Sequence, residues 1–496
     1  MPLSFWTDAD EDVFRETVLD SLAGLPKVEV RQIQYEEGEL IFPEEDEVVI
    51  AMGAGPHSEL KRGGYVPKNR GLMACREKVF PYVTPNAKFD DSARHWMVSF
   101  APNSIYVEAE RRSQIAWDAR LAHRFQTTLS LLPEYGDYSW VDTLEYVIQY
   151  IEQKYEETGR AVSVSLDLET MGLIPWLEEK KIVSMSWTVE EGVADAVYLL
   201  DEIWKDPKKW AMLMGQVRWL LTSEKVALNG ANLKYDIQWI WVKWDMRPTN
   251  FKMDSLLVGS LLDENRSNSL KIHARQHTTM GGYELPFDDW LAKHKLDKGA
   301  MHRVPKKVLL PYAGGDTDVT YRVCVHQRKE LQVERGLQRF YVKLVHPVAR
   351  AFEAIEHRGM AVDLDKYETL RVDLEEEVFS LEKQAIDMFP ARLKAKYAEK
   401  LDLRAAVLKD FFFSELGLNL KPQMYTPKSG QPKTDKAHFM MFKDVPEAAQ
   451  FLELYERHGS ASKTLSTYVY GFLNHLRPDG LFHPTYMLFN GSAFEE

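Results

Sequence analysis

The chain has 496 residues, and 62 Lys and Arg against 75 Asp and Glu give a formal net charge of −13. This length predicts about two to four domains, and the acidic balance disfavours a protein that coats nucleic acid by bulk attraction. No apolar run approaches the ~20 residues needed to span a bilayer. The acidic N-terminus is unlike a signal peptide, and only two cysteines are present, so a membrane protein is disfavoured and a cytoplasmic one is predicted.

Residues 1–150 interleave strand-like and helix-like segments, which predicts a small α/β unit. Strands are expected at 48–52 and 96–100, and a helix at 114–132. Four short segments resemble the C-terminal half of the uracil-DNA glycosylase fold: Gly53-Ala-Gly55, Arg76-Glu-Lys78, Ala101-Pro-Asn-Ser104 and Trp117–Ala122. The family's water-activating acid has no counterpart, and Ala101 replaces the His of its His-Pro-Ser motif. The resemblance therefore implies a structural or DNA-docking unit.

Residues 161–170 alternate apolar and polar side chains, which predicts a half-buried strand. Asp167 and Glu169 fall on its polar face, at the strand end. Two neighbouring carboxylates raise each other's pKa, so a bound cation is their usual companion. A solvated strand edge is the alternative interpretation.

Further elements are expected on both sides of this strand. A helix is predicted at 141–157, two strands at 181–189 and 195–200 that complete a three-strand meander, a helix at 204–221 and a strand at 225–229. Asn232 is then predicted to cap a helix that runs through Trp244 and carries Asp236 on the same face. Tyr312 and Asp316, also four apart, begin a helix that continues towards Leu337.

Asp167, Glu169, Asp236 and Asp316 form a set of carboxylates with no His or Cys at ligand spacing. Such an all-oxygen set suits Mg²⁺ or Mn²⁺ rather than zinc or copper. Two ions about 3.5–4 Å apart can hold the attacking and leaving oxygens of a displacement at phosphorus. The set therefore predicts phosphodiester hydrolysis.

Asp-x-Glu-Thr, Asn-x-x-Tyr-Asp and Tyr-x-x-x-Asp, in this order, form the pattern of the DEDDy 3′→5′ exonucleases. The resemblance implies an α/β, ribonuclease H-like exonuclease domain in this chain, with a mixed sheet and helices. The wording of these motifs resembles the proofreading domain of family A DNA polymerases of the bacterial polymerase I type. The resemblance implies that Asp167, Glu169 and Asp316 bind a first metal. It also implies that Tyr312 orients the water molecule that attacks the phosphate. It further implies that Asp167 bridges to a second metal, which Asp236 holds largely through water. The DNA-contacting residues it implies in this domain are Thr170, Leu173, Asn232 and Tyr235.

The resemblance continues downstream. Residues 346–363 look like the helix and turn that open the polymerase region, with Gly359 ending the helix, and 363–389 and 447–473 resemble the long helices of the thumb. A basic loop and a hydroxyl-rich segment are expected to contact duplex phosphates, although a solvated surface loop is the alternative for the first. The residues concerned are Lys428, Lys433, Lys436, Ser462, Lys463, Ser466, Thr467 and Tyr468.

These patterns divide the chain into a glycosylase-like unit at 1–150, an exonuclease domain at 151–340 and a thumb-like region at 341–496. The Thr-Gly-Arg motif, palm aspartates and fingers helix that follow in the family are not found. We therefore expect either a portion of a longer polymerase or a natural partner polypeptide that supplies palm and fingers. A glycosylase-like unit placed before the exonuclease domain resembles the arrangement of some bacteriophage polymerases. If the protein is viral, the predicted location is the host cytoplasm.

The predicted partner is DNA, as a single-stranded or frayed 3′ end and as primer–template duplex. A free-standing exonuclease of the ribonuclease D or helicase-associated kind shares the acidic motifs but normally lacks a thumb-like continuation. A non-catalytic DNA-docking scaffold is a third interpretation, which the intact set of four acids and Tyr312 disfavours.

Overall fold

A computed structural model of the chain describes residues 2–44, 47–81, 94–108, 110–265, 267–426 and 430–488. Its contacts separate the described chain into two compact units. The first comprises the described residues up to His357 together with 486–488, and the second is Arg358–Thr485.

The first unit begins with a five-stranded sheet in the order β2-β1-β3-β5-β4. Its strands are β1 Pro2–Thr7, β2 Glu29–Gln34, β3 Val48–Met52, β4 Phe80–Pro81 and β5 His95–Ser99, all parallel except β4. The helices around it are α1 Glu11–Phe14, α2 Asp20–Leu22, α3 Ala54–Gly63, α4 Leu72–Cys75 and α5 Arg111–Thr128. Alternate residues of β3 enter two different hydrophobic clusters, so both faces of this sheet are covered. The predicted α/β character of this part is confirmed.

A second sheet in the same unit has six strands in the order β11-β10-β7-β8-β9-β6. Its strands are β6 Asp137–Trp140, β7 Val162–Thr170, β8 Ile182–Glu190, β9 Val193–Tyr198, β10 Val226–Gly230 and β11 Phe251–Asp254. The predicted meander is confirmed, since β7, β8 and β9 pair antiparallel. Strands β10 and β11 are parallel to β7, and β6 is parallel to β9. The two edge strands β6 and β11 were not predicted, because four residues carry too little alternation to reveal a strand.

Nine helices accompany this sheet in the described part of the unit. They are α6 Glu145–Thr158, α7 Pro207–Thr222, α8 Leu233–Trp244, α9 Ser255–Leu262, α10 Leu270–His277, α11 Leu285–His294, α12 Lys306–Val333, α13 Arg335–Phe340 and α14 His346–Arg358. Helix α12 was expected to begin at Tyr312, but it begins six residues earlier and contains Pro311. The reason is tertiary: Leu309 in the added turn is completely buried, and this burial outweighs the one backbone hydrogen bond that the proline removes.

Strand β7 was expected to be half-buried, and this is wrong. Val164, Leu166 and Leu168 pack into a core with side chains of α7 and α8. Helix α12 contacts β7, β8 and β9, and the polar side chains Ser165 and Glu169 are also buried. The acidic strand end therefore lies inside the fold.

The second unit is mainly helical, as predicted. Its elements are β12 Met360–Ala361, α15 Leu364–Asp387, α16 Ala391–Tyr397, α17 Ala405–Phe413, α18 Lys436–Met440, α19 Pro446–Lys463, α20 Gly471–Leu473 and β13 Leu481–Phe482. A π-helical turn, Thr464–Tyr470, joins α19 to α20. Helices α15 and α19 pack together, and the core is rich in phenylalanine, including Phe389, Phe411 and Phe451. Gly359, with φ of 69°, ends α14 as expected.

The mixed α/β architecture with a helical continuation is thus confirmed. The three-part division near residues 150 and 340, and the likeness of the first sheet to a glycosylase, stay predictions. In the described parts of the chain, no helix has the length and apolar character that crossing a membrane requires.

Candidate active site

Strand β7 carries two of the predicted acids to its carboxyl end. It lies between β10 and β8 near the middle of the sheet, and Asp167 pairs in register with Ser186 and Glu169 with Ser184. Residues two apart on a strand point to the same face. A register irregularity directly after Glu169 ends this regular pairing.

Helix α12 supplies Tyr312 and Asp316 from above that face. The segment Ala313-Gly-Gly315 has small side chains where the helix meets its neighbours, and the Ala313 carbonyl accepts a 3.1 Å hydrogen bond from the Ser186 hydroxyl of β8. A Cβ atom at Gly315 would lie 2.6 Å from the Tyr283 ring. Helix α12 also contacts β7, and this packing brings Asp316 to the strand end.

Three of the predicted acids meet. Carboxylate oxygens of Asp167, Glu169 and Asp316 all lie within 4.8 Å of one another. Oε1 of Glu169 is buried and has no hydrogen-bond partner among the described residues. Three oxygen ligands with an unsatisfied buried atom fit a hard divalent cation.

The environment of these acids is electrostatically costly without a cation. Burial raises the pKa of Asp167, and the negative charge of Asp236 raises it further. Burial also raises the pKa of Glu169, with a further contribution from Asp316. The charge of Lys298 opposes both shifts.

The fourth acid, Asp236, is near this group but outside the three-carboxylate cluster. It is carried by α8, is 3% exposed, and its Oδ1 accepts a 3.0 Å hydrogen bond from the Leu168 amide of β7. Burial raises its pKa, and this amide bond opposes the shift. The bond fixes Asp236 beside the strand end.

Tyr312 is held by residues that sequence patterns did not reveal. The Lys298 amino group donates a 2.7 Å hydrogen bond to the Tyr312 hydroxyl, and the Phe287 ring stacks on Tyr312 with centroids 3.9 Å apart. Burial raises the pKa of the Tyr312 phenol above its usual value. Tyr283 donates a hydrogen bond to Asp316. No motif marks Lys298 or Tyr283, because both lie in irregular or unpatterned segments far from Asp316 in the chain.

The predicted DNA-contacting residues of this domain differ in accessibility. Leu173 is 80% exposed and free to meet a ligand. The hydroxyls of Thr170 and Tyr235 lie 2.5 Å apart, and each also bonds the Gly172 carbonyl, at 2.9 and 2.8 Å. These two side chains therefore shape the turn after β7.

Asn232 does not cap α8 with its side chain, and that prediction is wrong. Its backbone is left-handed, with φ of 57°, and the amides of Asn232 and Leu233 donate instead to Asp254, at 3.1 and 2.8 Å. Asp254 also accepts from the amides of Leu256 and Leu257 at the start of α9. One buried carboxylate thus caps two helices. In the sequence, an Asp directly before Ser-Leu-Leu indicates the cap of α9 but gives no sign of the cap of α8.

The predicted duplex-contacting residues belong to the second unit. Lys428 lies outside the described residues. Lys436 forms a 3.0 Å ion pair with Glu456, and Lys433 lies in the irregular segment before α18. Ser462 and Lys463 end α19, and the exposed Ser466, Thr467 and Tyr468 lie in the π-helical turn.

Comparisons with known proteins match the part of the chain that contains these residues. Residues 138–332 match the 3′-5′ exonuclease family model of DNA polymerase A. The DNA polymerase of Escherichia phage T5 is 21% identical over 344 residues, which are 67% of this chain and 37% of that protein. DNA polymerase I of Pseudomonas aeruginosa is 24% identical over 346 residues, which are 67% of this chain and 35% of that protein.

A solved structure, the POL domain of Pol1 from M. smegmatis in complex with DNA primer-template and dNTP, is 17% identical and covers 70% of this chain and 52% of that one, with a TM-score of 0.46. The chain spans little more than a third of the length of the two polymerases from phage T5 and P. aeruginosa. The chain is therefore similar to the 3′-5′ exonuclease domain of the DNA polymerase A family over residues 138–332, and more widely to DNA polymerases from a phage and a bacterium.

Proposed function

We propose that this chain removes nucleoside monophosphates from DNA 3′ ends and serves as the proofreading and thumb portion of a family A DNA polymerase. The observation that carries the proposal is the cluster of Asp167, Glu169 and Asp316 beside Tyr312, in which Glu169 and Asp316 are buried and Asp167 is half-buried. Neither a solvated strand edge nor a scaffold explains why three mutually repelling acids are held together in this way.

The cluster of three carboxylates fits a hard divalent cation, and the proposal includes two such ions, Mg²⁺ or Mn²⁺. Asp167, Glu169 and Asp316 would hold one, and Asp167 with Asp236 would hold the other, the latter largely through water. Bound divalent ions lower the pKa of a water ligand and neutralise charge at the phosphate.

The protein side chains position the reactants. Tyr312 accepts a hydrogen bond from Lys298, and its phenol also hydrogen-bonds the Asp316 carboxylate. These two bonds would hold the phenol oxygen beside the acids, where it can accept a hydrogen bond from the attacking water and orient it. The water oxygen bonds to phosphorus while the bond to the O3′ of the penultimate nucleotide breaks, and this oxygen leaves with a proton. The exposed Leu173 would contact the terminal nucleotide beside the turn shaped by Thr170 and Tyr235.

The preferred substrate is DNA rather than RNA, with single-stranded or frayed ends. A terminus must reach a buried cluster, and unpairing a matched end costs a few kcal/mol. The second unit would contact primer–template duplex. Palm and fingers functions, a second polypeptide that carries them and a cytoplasmic location, in the host if the source is viral, stay predictions.

The test follows a 3′-labelled DNA oligonucleotide. With Mg²⁺ the wild type should release mononucleotides, and Asp167→Asn should reduce the rate at least about a thousandfold, because a metal ligand stabilises several kcal/mol of transition-state charge. The same substitution should raise thermal stability in EDTA, since it removes one of three repelling charges. Wild-type activity of a folded Asp167→Asn protein would exclude this site, and equal rates on RNA would favour the ribonuclease D alternative.

A further inference from the structure

A cavity of about 620 Å³ lies between α5 and the segment that follows α10 in the first unit. This volume is in the range of small-molecule sites. None of the residues of the carboxylate cluster lines it. It is therefore a separate candidate site.

Two arginines of α5 give one wall a positive charge. Arg120 and Arg124 both line the cavity, and no carboxylate of the described residues forms an ion pair with either. Burial lowers the pKa of both, and the charge of Arg120 lowers that of Arg124 further. Two adjacent, partly desolvated cations without a counter-ion are unfavourable, which a bound anion would relieve.

The two arginines differ in their free donors. The Arg124 guanidinium donates hydrogen bonds to the carbonyls of Leu131, Gly281 and Thr279, at 3.1, 2.7 and 2.8 Å. Arg120 makes one long bond of 3.4 Å, to the Gln276 carbonyl, and its buried Nε has no partner among the described residues. Arg120 therefore has more N–H groups available to hydrogen-bond a ligand than Arg124 has.

The remaining walls combine apolar and charged groups. Leu25, Pro26 and Leu132 provide apolar surface. The other charged or titratable side chains are His123, whose Nε2 donates to the Pro26 carbonyl at 2.7 Å, Arg275, which is paired with Glu77 and Glu284, and the exposed Glu134. A ligand that presents an anion to Arg120 and an apolar body to Leu25, Pro26 and Leu132 would complement this lining.

We propose that this cavity binds a nucleotide, with the phosphate at Arg120 and the base against the wall formed by Leu25, Pro26 and Leu132. Charge-assisted bonds from a guanidinium to phosphate supply affinity and orientation. The nucleotide has two possible sources, a free mononucleotide or one unit of a single-stranded DNA. The inference does not depend on the proposed exonuclease activity.

The test uses the full chain in EDTA, so that DNA is not degraded, and calorimetric titration with dTMP, with thymidine and with a short dT oligonucleotide. The wild type should bind dTMP but not thymidine. Arg120→Gln should weaken dTMP binding about tenfold, the effect of one charged hydrogen-bond donor, and Arg120→Lys should lie between. Arg112→Gln is the matched control, because Arg112 is on the same helix, pairs with Glu16 and does not line the cavity.

A larger loss with the oligonucleotide than with dTMP would identify a DNA strand as the source, and an equal loss would identify the free nucleotide. Circular dichroism should show that Arg120→Gln is folded, and its exonuclease rate with Mg²⁺ should be unchanged. The proposal is overturned if the wild type does not bind dTMP, if thymidine binds equally well, or if Arg120→Gln binds dTMP as the wild type does.

Discussion

The Lys298 amino group donates a hydrogen bond of 2.7 Å to the Tyr312 hydroxyl, and the same amino group lies 4.8 Å from the centre of the Tyr312 ring. The charge of this lysine also lowers the pKa of Asp167, Glu169 and Asp316. One side chain therefore both fixes the tyrosine and partly compensates the acidic cluster.

Replacement of Lys298 by Met should slow the exonuclease about tenfold, the effect of losing one charge-assisted hydrogen bond. The Mg²⁺ concentration that gives half-maximal activity should fall or stay constant, because the cluster becomes more negative. Single-turnover rates across a Mg²⁺ titration measure both quantities.

Lys295→Met is the control for this variant, since Lys295 is exposed in the same loop and has no bond to Tyr312. Lys298→Arg should retain part of the rate. A wild-type rate for Lys298→Met, or a large increase in the Mg²⁺ requirement, would contradict the role assigned to this lysine.

Asp254→Ala should lower the free energy of unfolding by about 2 kcal/mol, because two helix caps of roughly 1 kcal/mol each are lost. Its carboxylate accepts amide hydrogen bonds at the starts of both α8 and α9. Urea unfolding followed by tryptophan fluorescence measures the change. Asp206→Ala, which removes a single exposed cap at α7, should cost half as much or less, and an equal cost would contradict the double cap.

The central strand and its two acids could be predicted from the sequence because local alternation and motif spacing specify them. The residues Asp167, Glu169 and Asp316 do meet. The same local information failed for the burial of β7, since the polar face of that strand is covered by α12, about 140 residues later in the chain.

Residues that support the site were missed for a related reason. Lys298, Tyr283 and Asp254 act on groups brought together by the fold. Lys298 and Tyr283 belong to no recurring local pattern, and the N-cap pattern at Asp254 indicates its bonds to α9 but not those to α8. Asn232 shows the converse case. Its residue type favours a cap, but its left-handed backbone directs the amide, not the side chain, into the bond that caps the helix.

Asp118 should give the first unit a distinct pH dependence. It bonds Arg76 at 2.8 and 2.9 Å and Ser99 at 2.6 Å, yet burial outweighs these contacts and raises its pKa from 3.8 to about 6. The folded state therefore binds the proton more tightly than the unfolded state. Proton binding by Asp118 therefore stabilises the folded state fully below pH 3.8, and this stabilisation is lost as the pH rises to about 6.

The loss corresponds to about 3 kcal/mol, from about 1.4 kcal/mol per unit of pKa. Melting temperatures of the wild type and of Asp118→Asn should be compared between pH 4 and 7. The wild type should lose stability relative to the variant across this interval, and parallel curves would show that Asp118 titrates normally.

The lysines of the predicted duplex-binding surface in the second unit differ in whether they already form an ion pair. Lys463 is exposed and forms no ion pair with the described residues, whereas Lys436 is already paired with Glu456. If both contact phosphates, Lys463→Gln should reduce the log–log salt slope of duplex binding by about 0.9, the value for one released counter-ion. Lys436→Gln should reduce the slope less, because binding must first break its ion pair.

Lys366→Gln, on α15 and paired with Asp363, is the control and should leave the slope unchanged. Fluorescence anisotropy of a labelled primer–template across a salt series measures these slopes, and an unchanged slope for Lys463→Gln would assign this segment to ordinary solvated surface.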